Sequence, residues 1–341
     1  MPRLARLTLF VAATATYVVA AAQEPATLTT VTLPGNPLPS WNEGPAKSAI
    51  LDFVHRTTTA GSPDFLPPSE RIAVFDNDGT LWPENPLPFE VAFSLDAARR
   101  MMAAKPELQT HPAYQALQAG NIAALAEDHF KLLLQLVADT HAGMTTEEFD
   151  RSVAEWIATA RHPRFNRLYS QCTYLPMQEV LRYFRDRGFK TFIVSGGGQD
   201  FIRVWSERVY GIPPEQVIGS TFKLKYELKD DRPTITILPD VDLIDDKAGK
   251  PVGIRRAVGR TPVVCFGNSD GDHEMLQLTT IGRRPSFGLI VHHTDADREY
   301  AYDAHPKSSG KLIEALAAAP ARGWIVVDMK RDWNTIFSAQ P

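Results

Sequence analysis

Asp76 and Asp78 are the two residues whose type and spacing most clearly indicate chemistry. They lie one residue apart, directly after the apolar run Ile72–Phe75, and Gly79 and Thr80 follow them. Two carboxylates this close repel each other unless a cation or a proton lies between them. Mg2+ prefers oxygen ligands and often binds only one or two carboxylates, so it suits this pair. Asp, Asn and Gly also form ordinary surface turns, and residues 76–80 alone leave that alternative open.

A second strand end carries small residues instead of acids. The β-prone run that begins at Lys190 leads into Ser195, Gly196 and two more glycines, and a helical pattern follows from about Gln199 to Tyr210. Backbone N–H groups in such a loop, with a helix N-terminus behind them, suit a phosphate oxygen. Because the glycines stand between a strand and a helix, we interpret them as an anion-binding loop.

Two more segments carry charged residues next to predicted strands or helices. Lys247 and Lys250 lie at the start of a predicted helix, and the predicted strand 262–266 ends in a polar loop. The acidic and amide side chains of that loop are Asn268, Asp270 and Asp272.

Strands and helices alternate along the chain, which predicts an α/β fold with a parallel sheet. Further strands are expected at 285–291 and at 323–329, the last on an edge, and a β-hairpin at 217–238. Apolar residues at helical spacing predict helices at 45–57, 89–104, 122–140, 145–160 and 177–187. Thr145 and Glu148 form a predicted capping box. No strand is predicted between 89 and 187.

Composition excludes several classes of protein. The chain has 341 residues, 44% apolar and 22% charged, with a net charge of −4, which gives no indication of nucleic-acid binding. Its two cysteines, Cys172 and Cys265, are too few for a disulfide scaffold, and we expect Cys265 to be a buried thiol.

The N-terminus has the pattern of a secretory signal peptide. Arg3 and Arg6 precede an apolar stretch that ends in Ala20–Ala22, so residues 1–22 are expected to be cleaved and the protein to be secreted or periplasmic. An uncleaved membrane anchor is the alternative, although the stretch is short for a bilayer span. No stable membrane insertion is expected after cleavage.

Taken in order, the carboxylate pair, the Ser-Gly loop, the lysine and the acidic loop resemble the four motifs of the haloacid dehalogenase (HAD) superfamily. The resemblance extends from about Arg71 to Val291. It implies a Rossmann-like parallel sheet core of residues 71–88 and 188–341, with an α-helical C1-type cap inserted at 89–187. Residues 23–70 are an N-terminal lead-in and helix. The hairpin before the lysine resembles the phosphoserine phosphatase branch.

The resemblance also implies residue roles in phosphoryl transfer. Asp76 would attack phosphorus and form an aspartyl-phosphate, and Asp78 would act as general acid and then general base. Ser195, Gly196 and a lysine would bind the phosphate group. The implied Mg2+ ligands are Asp76, Asp78, Asn268 and Asp272.

Two of these assignments stay open. Lys250 is preferred over Lys247 as the phosphate lysine, because it directly precedes a helix. The family's fourth motif usually begins Gly-Asp, whereas here Asn268 follows Gly267, so Asp270 is an alternative source of charge at the metal.

The loop after the carboxylate pair is expected to determine specificity through Trp82, Glu84 and Asn85. Related phosphoserine phosphatases use an acidic side chain in this loop to bind the substrate's amino group, which makes Glu84 the candidate here. The alternative is that Trp82 packs a hinge and that Glu84 is solvated.

The predicted function is Mg2+-dependent hydrolysis of a small phosphate ester, with a phosphoserine-like substrate implied by the resemblance. One alternative is a non-catalytic periplasmic binding module that keeps the fold. Another is a dehalogenase, against which Asp78 argues, because that reaction needs no second acid. The oligomeric state is left open.

Overall fold

A mostly parallel sheet organises the described part of the chain, which comprises residues 35–283 and 285–339 of a computed structural model. Its strand order is β4-β3-β2-β1-β5-β6-β7, and β8 pairs with β6. Only the β3–β4 hairpin and the β6–β7 pair are antiparallel among the described strands. The strands are β1 Ile72–Phe75, β2 Lys190–Gly198, β3 Val217–Lys229, β4 Arg232–Leu243, β5 Val264–Gly267, β6 Phe287–Thr294, β7 Ala301–Tyr302 and β8 Ile325–Asp328. The predicted α/β fold is confirmed, and β8 lies on an edge as expected.

The helices include every predicted segment, with small shifts at their ends, and three segments that were not predicted individually, 112–118, 314–322 and 329–332. They are α1 Pro45–Thr58, α2 Phe89–Ala104, α3 Pro112–Gln118, α4 Ile122–His141, α5 Thr146–Thr159, α6 Leu175–Asp186, α7 Gln199–Arg203, α8 Ser206–Tyr210, α9 Gly249–Val258, α10 His273–Thr280, α11 Glu314–Arg322 and α12 Met329–Asp332. The Thr145–Glu148 capping box is present at the start of α5. The predicted helical segment 199–210 is split into α7 and α8, and the turn between them buries Trp205 against Trp82.

Strand β1 is buried on both faces because its residues are apolar at every position. In β1, Ala73 and Phe75 belong to one hydrophobic cluster, whereas Ile72 and Val74 belong to the cluster on the other face. This alternation follows from the two-residue period of a strand. Both cysteines are free and buried, as expected for Cys265.

Residues 89–187 contain helices and no strand in the described structure, as the sequence predicts. A separate hydrophobic cluster, built around Leu95, Tyr114 and Leu136, holds α2, α3 and α4 together. The boundaries of the proposed cap stay a prediction. The predicted signal peptide, residues 1–22, lies outside the described residues. Among the helices that are described, none is long and apolar enough to cross a membrane.

Candidate active site

Three adjacent strands bring most of the predicted residues to one edge of the sheet. β1 pairs with β2 on one side and with β5 on the other, so that Phe75 lies opposite both Ile193 and Phe266. All three strands run in the same direction, and their carboxyl ends therefore meet. Asp76 continues β1 and donates its backbone N–H to the Phe266 carbonyl at 2.9 Å.

Lys250 connects the acids of two different loops. Its ammonium group donates to Asp76 Oδ1 at 2.7 Å, to Asp272 Oδ1 at 2.6 Å and to the Val194 carbonyl at 3.0 Å. All three side chains are buried. Lys247, in contrast, is exposed in the turn before α9. Lys250 is thus the lysine that contacts the predicted nucleophile, and its phosphate-binding role stays a prediction.

The charges of this buried cluster are not balanced. Burial, and then repulsion from Asp272, raise the pKa of Asp76 well above its usual range, although Lys250 opposes the shift. Burial lowers the pKa of Lys250, but the Asp272 and Asp76 carboxylates reverse this and raise it overall. Lys250 therefore stays charged, and two carboxylates share one cation.

The loop after β5 uses its acids in different ways. Asp272 Oδ2 accepts hydrogen bonds from the backbone N–H groups of Asn268 and Ser269 at 2.9 and 3.1 Å. Asp270 accepts from the backbone N–H groups of Ile313 and Ala315, at the start of α11. Asp272 therefore shapes the loop from within the site, whereas the Asp270 carboxylate anchors a neighbouring segment.

Trp82 contacts the predicted general acid directly. Its indole Nε1–H donates to Asp78 Oδ1 at 2.7 Å. Its fully buried ring packs against the rings of Phe89 and Trp205, with 4.2 Å between the ring centroids in each pair. Burial raises the pKa of Asp78 to about 7, while the Trp82 hydrogen bond acts in the opposite direction. A carboxyl group with a pKa near neutrality can both donate and accept a proton.

The other two predicted specificity residues are also buried. The Glu84 carboxylate accepts from Asn268 Nδ2 at 2.6 Å and from the Tyr302 hydroxyl at 2.8 Å. Burial raises the pKa of Glu84. The Asn85 carbonyl accepts from His162 Nε2 at 2.8 Å. The alternative of a solvated Glu84 is therefore wrong, and the roles of both residues in specificity stay predictions.

The predicted phosphate loop lies beside a residue of the predicted cap. Ser195 is buried, and its hydroxyl accepts from the Gly197 N–H at 3.1 Å. Gly196 is exposed, so that its backbone is open to a ligand. Glu90, in α2, accepts from the Gly198 N–H at 2.5 Å. Helix α2 thus reaches the glycine loop through a carboxylate, a contact that the sequence did not predict.

The donor set fits Mg2+ in its chemistry. Among the described residues, no three His, Cys, Asp or Glu side chains form a metal-binding group. The site instead offers the Asp76 and Asp272 carboxylates and the Asn268 amide oxygen, which are hard oxygen donors. A bound cation would also oppose the burial and the repulsion from Asp272 that raise the pKa of Asp76. Which of the predicted ligands bind the metal stays a prediction.

Sequence reasoning did not include residues of β6 or β7 in the site. His293 Nε2 lies 2.7 Å from the Gly79 carbonyl, and Tyr302 reaches Glu84 from β7. His293 stands near the carboxyl end of a parallel strand, the same signal that identified Asp76. Tyr302 has no comparable signal, because it lies 218 residues from its partner.

Comparisons with known proteins give a family and several structural relatives. The family model described as haloacid dehalogenase-like hydrolase matches residues 73–277. No curated protein matches the chain. A functionally unknown protein from Anaerococcus prevotii has 16% identity and a TM-score of 0.48 over 79% of this chain and 96% of its own.

Two further solved structures have a comparable sequence identity. A protein of unknown function from Bordetella pertussis has 17% identity and a TM-score of 0.47 over 76% of this chain and 99% of its own. A phosphoserine phosphohydrolase-like protein from Francisella tularensis has 15% identity and a TM-score of 0.37 over 74% of this chain and 98% of its own.

Proposed function

The chain belongs to the haloacid dehalogenase-like hydrolase family, and from this membership we propose that it is a Mg2+-dependent phosphomonoesterase. One observation carries the proposal: Asp76 is held by Lys250 at the end of β1, two residues from an acid whose pKa is about 7. Phosphoryl transfer to a carboxylate needs such a nucleophile, a nearby proton donor and a positively charged group that faces the phosphate oxygens. The proposed substrate is a small phosphorylated metabolite.

In the proposed reaction Asp76 attacks phosphorus, and the bond from phosphorus to the leaving oxygen breaks. Asp78 gives its proton to that oxygen, which leaves as an alcohol. Asp78 then takes a proton from water, which attacks the aspartyl-phosphate and releases inorganic phosphate from Asp76. Trp82 orients Asp78 through the indole hydrogen bond.

Mg2+, when bound, would draw negative charge from the phosphate oxygens and reduce their repulsion by the nucleophile. Asp76, Asn268, Asp272 and the backbone of Asp78 would hold it. Ser195, the exposed backbone of Gly196 and the Lys250 ammonium would bind the phosphate oxygens.

The arrangement of Asp78 favours a phosphatase over a dehalogenase. A dehalogenase needs the first aspartate but no proton donor for a leaving oxygen. Here Asp78 is partly buried, its pKa is about 7, and it accepts a dedicated hydrogen bond from Trp82. Each of these features suits an acid that exchanges a proton during turnover.

Hydrolysis of p-nitrophenyl phosphate, with Mg2+ or with a chelator, tests the proposal. We expect metal-dependent turnover that Asp76→Asn abolishes while the fold is kept. Asp231→Asn, at the exposed turn between β3 and β4, is the matched control and should retain activity. Near-wild-type turnover by Asp76→Asn would refute the covalent mechanism. Binding of phosphate esters without any hydrolysis across a substrate panel would instead support a binding module.

We also propose that the protein acts outside the cytoplasm, which rests on the signal-peptide pattern of residues 1–22. Mass spectrometry of the natively expressed protein should find a mature N-terminus near Gln23. A mature protein that begins at Met1 or Pro2 would contradict cleavage.

A further inference from the structure

Glu84 and Asn268 form a buried pair whose two members depend on each other. The Glu84 carboxylate can only accept, so the Asn268 side chain presents its Nδ2 amide to it, at 2.6 Å. This fixes the amide orientation and turns Asn268 Oδ1 towards Thr80, whose hydroxyl lies 3.3 Å from Oδ1 and 3.0 Å from Asp76 Oδ2. The orientation of Asn268 beside the predicted nucleophile is therefore set by Glu84.

The pair is enclosed so closely that Glu84 has little freedom to leave it. A side chain at Gly79 or at Gly310 would collide with the Glu84 carboxylate, and both glycines have positive φ, +80° and +87°. Tyr302 donates a second hydrogen bond to the same carboxylate oxygen. Glu84 is thus held from the nucleophile loop and from the C-terminal segment.

Glu84 also explains why an amide is found at position 268. An aspartate there would place a second carboxylate directly against Glu84 in a buried site, where like charges repel strongly. With Asn268 the site keeps one carboxylate and gains a hydrogen bond.

We propose that Glu84 is a positioning residue that orients Asn268 and carries the negative charge of this part of the metal site, an inference that rests on the proposed function. The carboxylate and the amide work as a unit, so their identities are exchangeable between the two positions. This role differs from binding a substrate amine, because it acts on every substrate alike.

Four proteins test the pair: the wild type, Glu84→Gln, Asn268→Asp and the double variant. The pair then carries one carboxylate, none, two and one, respectively. Three measurements are made on each protein. The first two are the melting temperature without metal and the Mg2+ concentration that half-saturates the thermal shift. The third is the rate of hydrolysis of p-nitrophenyl phosphate and of O-phosphoserine.

We expect Asn268→Asp to have the lowest melting temperature, because two carboxylates face each other. Glu84→Gln should require about 10-fold more Mg2+, in the range of measured pair couplings. In the double variant the amide introduced at position 84 donates to the carboxylate introduced at position 268. The melting temperature and the Mg2+ requirement should therefore both return towards wild type, and both substrates should be affected equally.

Glu179→Gln provides the matched control for losing a buried glutamate. Glu179 is buried and accepts from the Ser40 backbone N–H and hydroxyl. Its substitution should lower the melting temperature without changing the Mg2+ requirement. If it changes that requirement as much as Glu84→Gln, the role of Glu84 is not specific.

Two results would overturn the inference. One is additivity, in which the double variant is as damaged as the two single variants combined. The other is a loss confined to O-phosphoserine in Glu84→Gln, which would assign Glu84 to the substrate's amine. A wild-type protein without phosphatase activity would refute the proposed function instead, and the metal-free melting temperatures would still report whether the pair is coupled.

Discussion

Replacing Trp82 by Phe tests whether the indole hydrogen bond tunes the general acid. The substitution keeps an aromatic ring between Phe89 and Trp205 but removes the Nε1–H that donates to Asp78 Oδ1. That bond favours the ionised carboxylate, while burial favours the neutral acid. Its loss leaves burial unopposed by Trp82, so the pKa of Asp78 should rise.

The size of the rise follows from the strength of the bond. A hydrogen bond to a charged group contributes about 1.5–3 kcal/mol, and one pKa unit corresponds to about 1.4 kcal/mol, so the expected shift is about 1–2 units. Asp78 must be protonated to act as the acid, which places an alkaline limit on activity near its pKa of about 7. In Trp82→Phe that limit should move upwards by the same amount, about 1–2 units. The smaller ring should also cost about 1–3 kcal/mol of stability.

The assay is the pH dependence of kcat/KM for p-nitrophenyl phosphate at saturating Mg2+. Trp156→Phe is the matched control, because Trp156 is also buried and donates its indole N–H to an aspartate, Asp96, at 3.0 Å. It should lose stability without moving the alkaline limit. An unmoved or lowered limit in Trp82→Phe, or an equal shift in Trp156→Phe, would refute the reasoning.

Two further substitutions test the buried charges. Lys250→Gln should reduce kcat/KM by about 10²-fold or more, because the cation at the nucleophile is lost. Lys247→Gln is the control and should keep near-wild-type rates. Comparable losses in the two variants would refute the assignment of Lys250 as the phosphate lysine. Asp245 is buried without a hydrogen-bond partner for either carboxylate oxygen among the described residues, and burial raises its pKa to about 7. Because its pKa is raised, ionisation of this acid lowers the free energy of unfolding as pH rises from about 4 to 7, by at most about 4 kcal/mol. Asp245→Asn removes this loss, so it should raise the melting temperature more at pH 8 than at pH 5. The exposed Asp240→Asn should show no such difference, and an Asp245→Asn gain that does not depend on pH would refute the argument.

The fold was predictable because its signals are local. The run Ile72–Phe75 is apolar at every position, which indicates a strand buried on both faces, and the structure has β1 at those residues. Helix α2 begins and ends where its apolar spacing does. The division of residues 199–210 into two helices was not predictable, because it depends on the packing of Trp205 against Trp82, a residue far earlier in the chain.

The candidate site was predictable only where chemistry coincides with a strand end. Asp76 and Asn268 follow strands β1 and β5, and the parallel pairing of these strands brings the two residues together. Glu84 and Trp82 were interpreted as specificity residues because they lie in the next loop. Their actual partners, Asn268 and Asp78, depend on how that loop folds back into the site, which no local pattern encodes.

The family model matches the chain only as far as residue 277, and residues after that point also contact the site. His293 Nε2 faces the Gly79 carbonyl at 2.7 Å, and Nδ1 faces the buried Glu299 carboxylate at 3.1 Å. The imidazole therefore bridges Glu299 and the Gly79 carbonyl, and it fixes the carbonyl of the glycine that allows Glu84 to approach Asn268. The C-terminal segment is thus part of the site, because it holds the nucleophile loop in the shape that the buried pair requires.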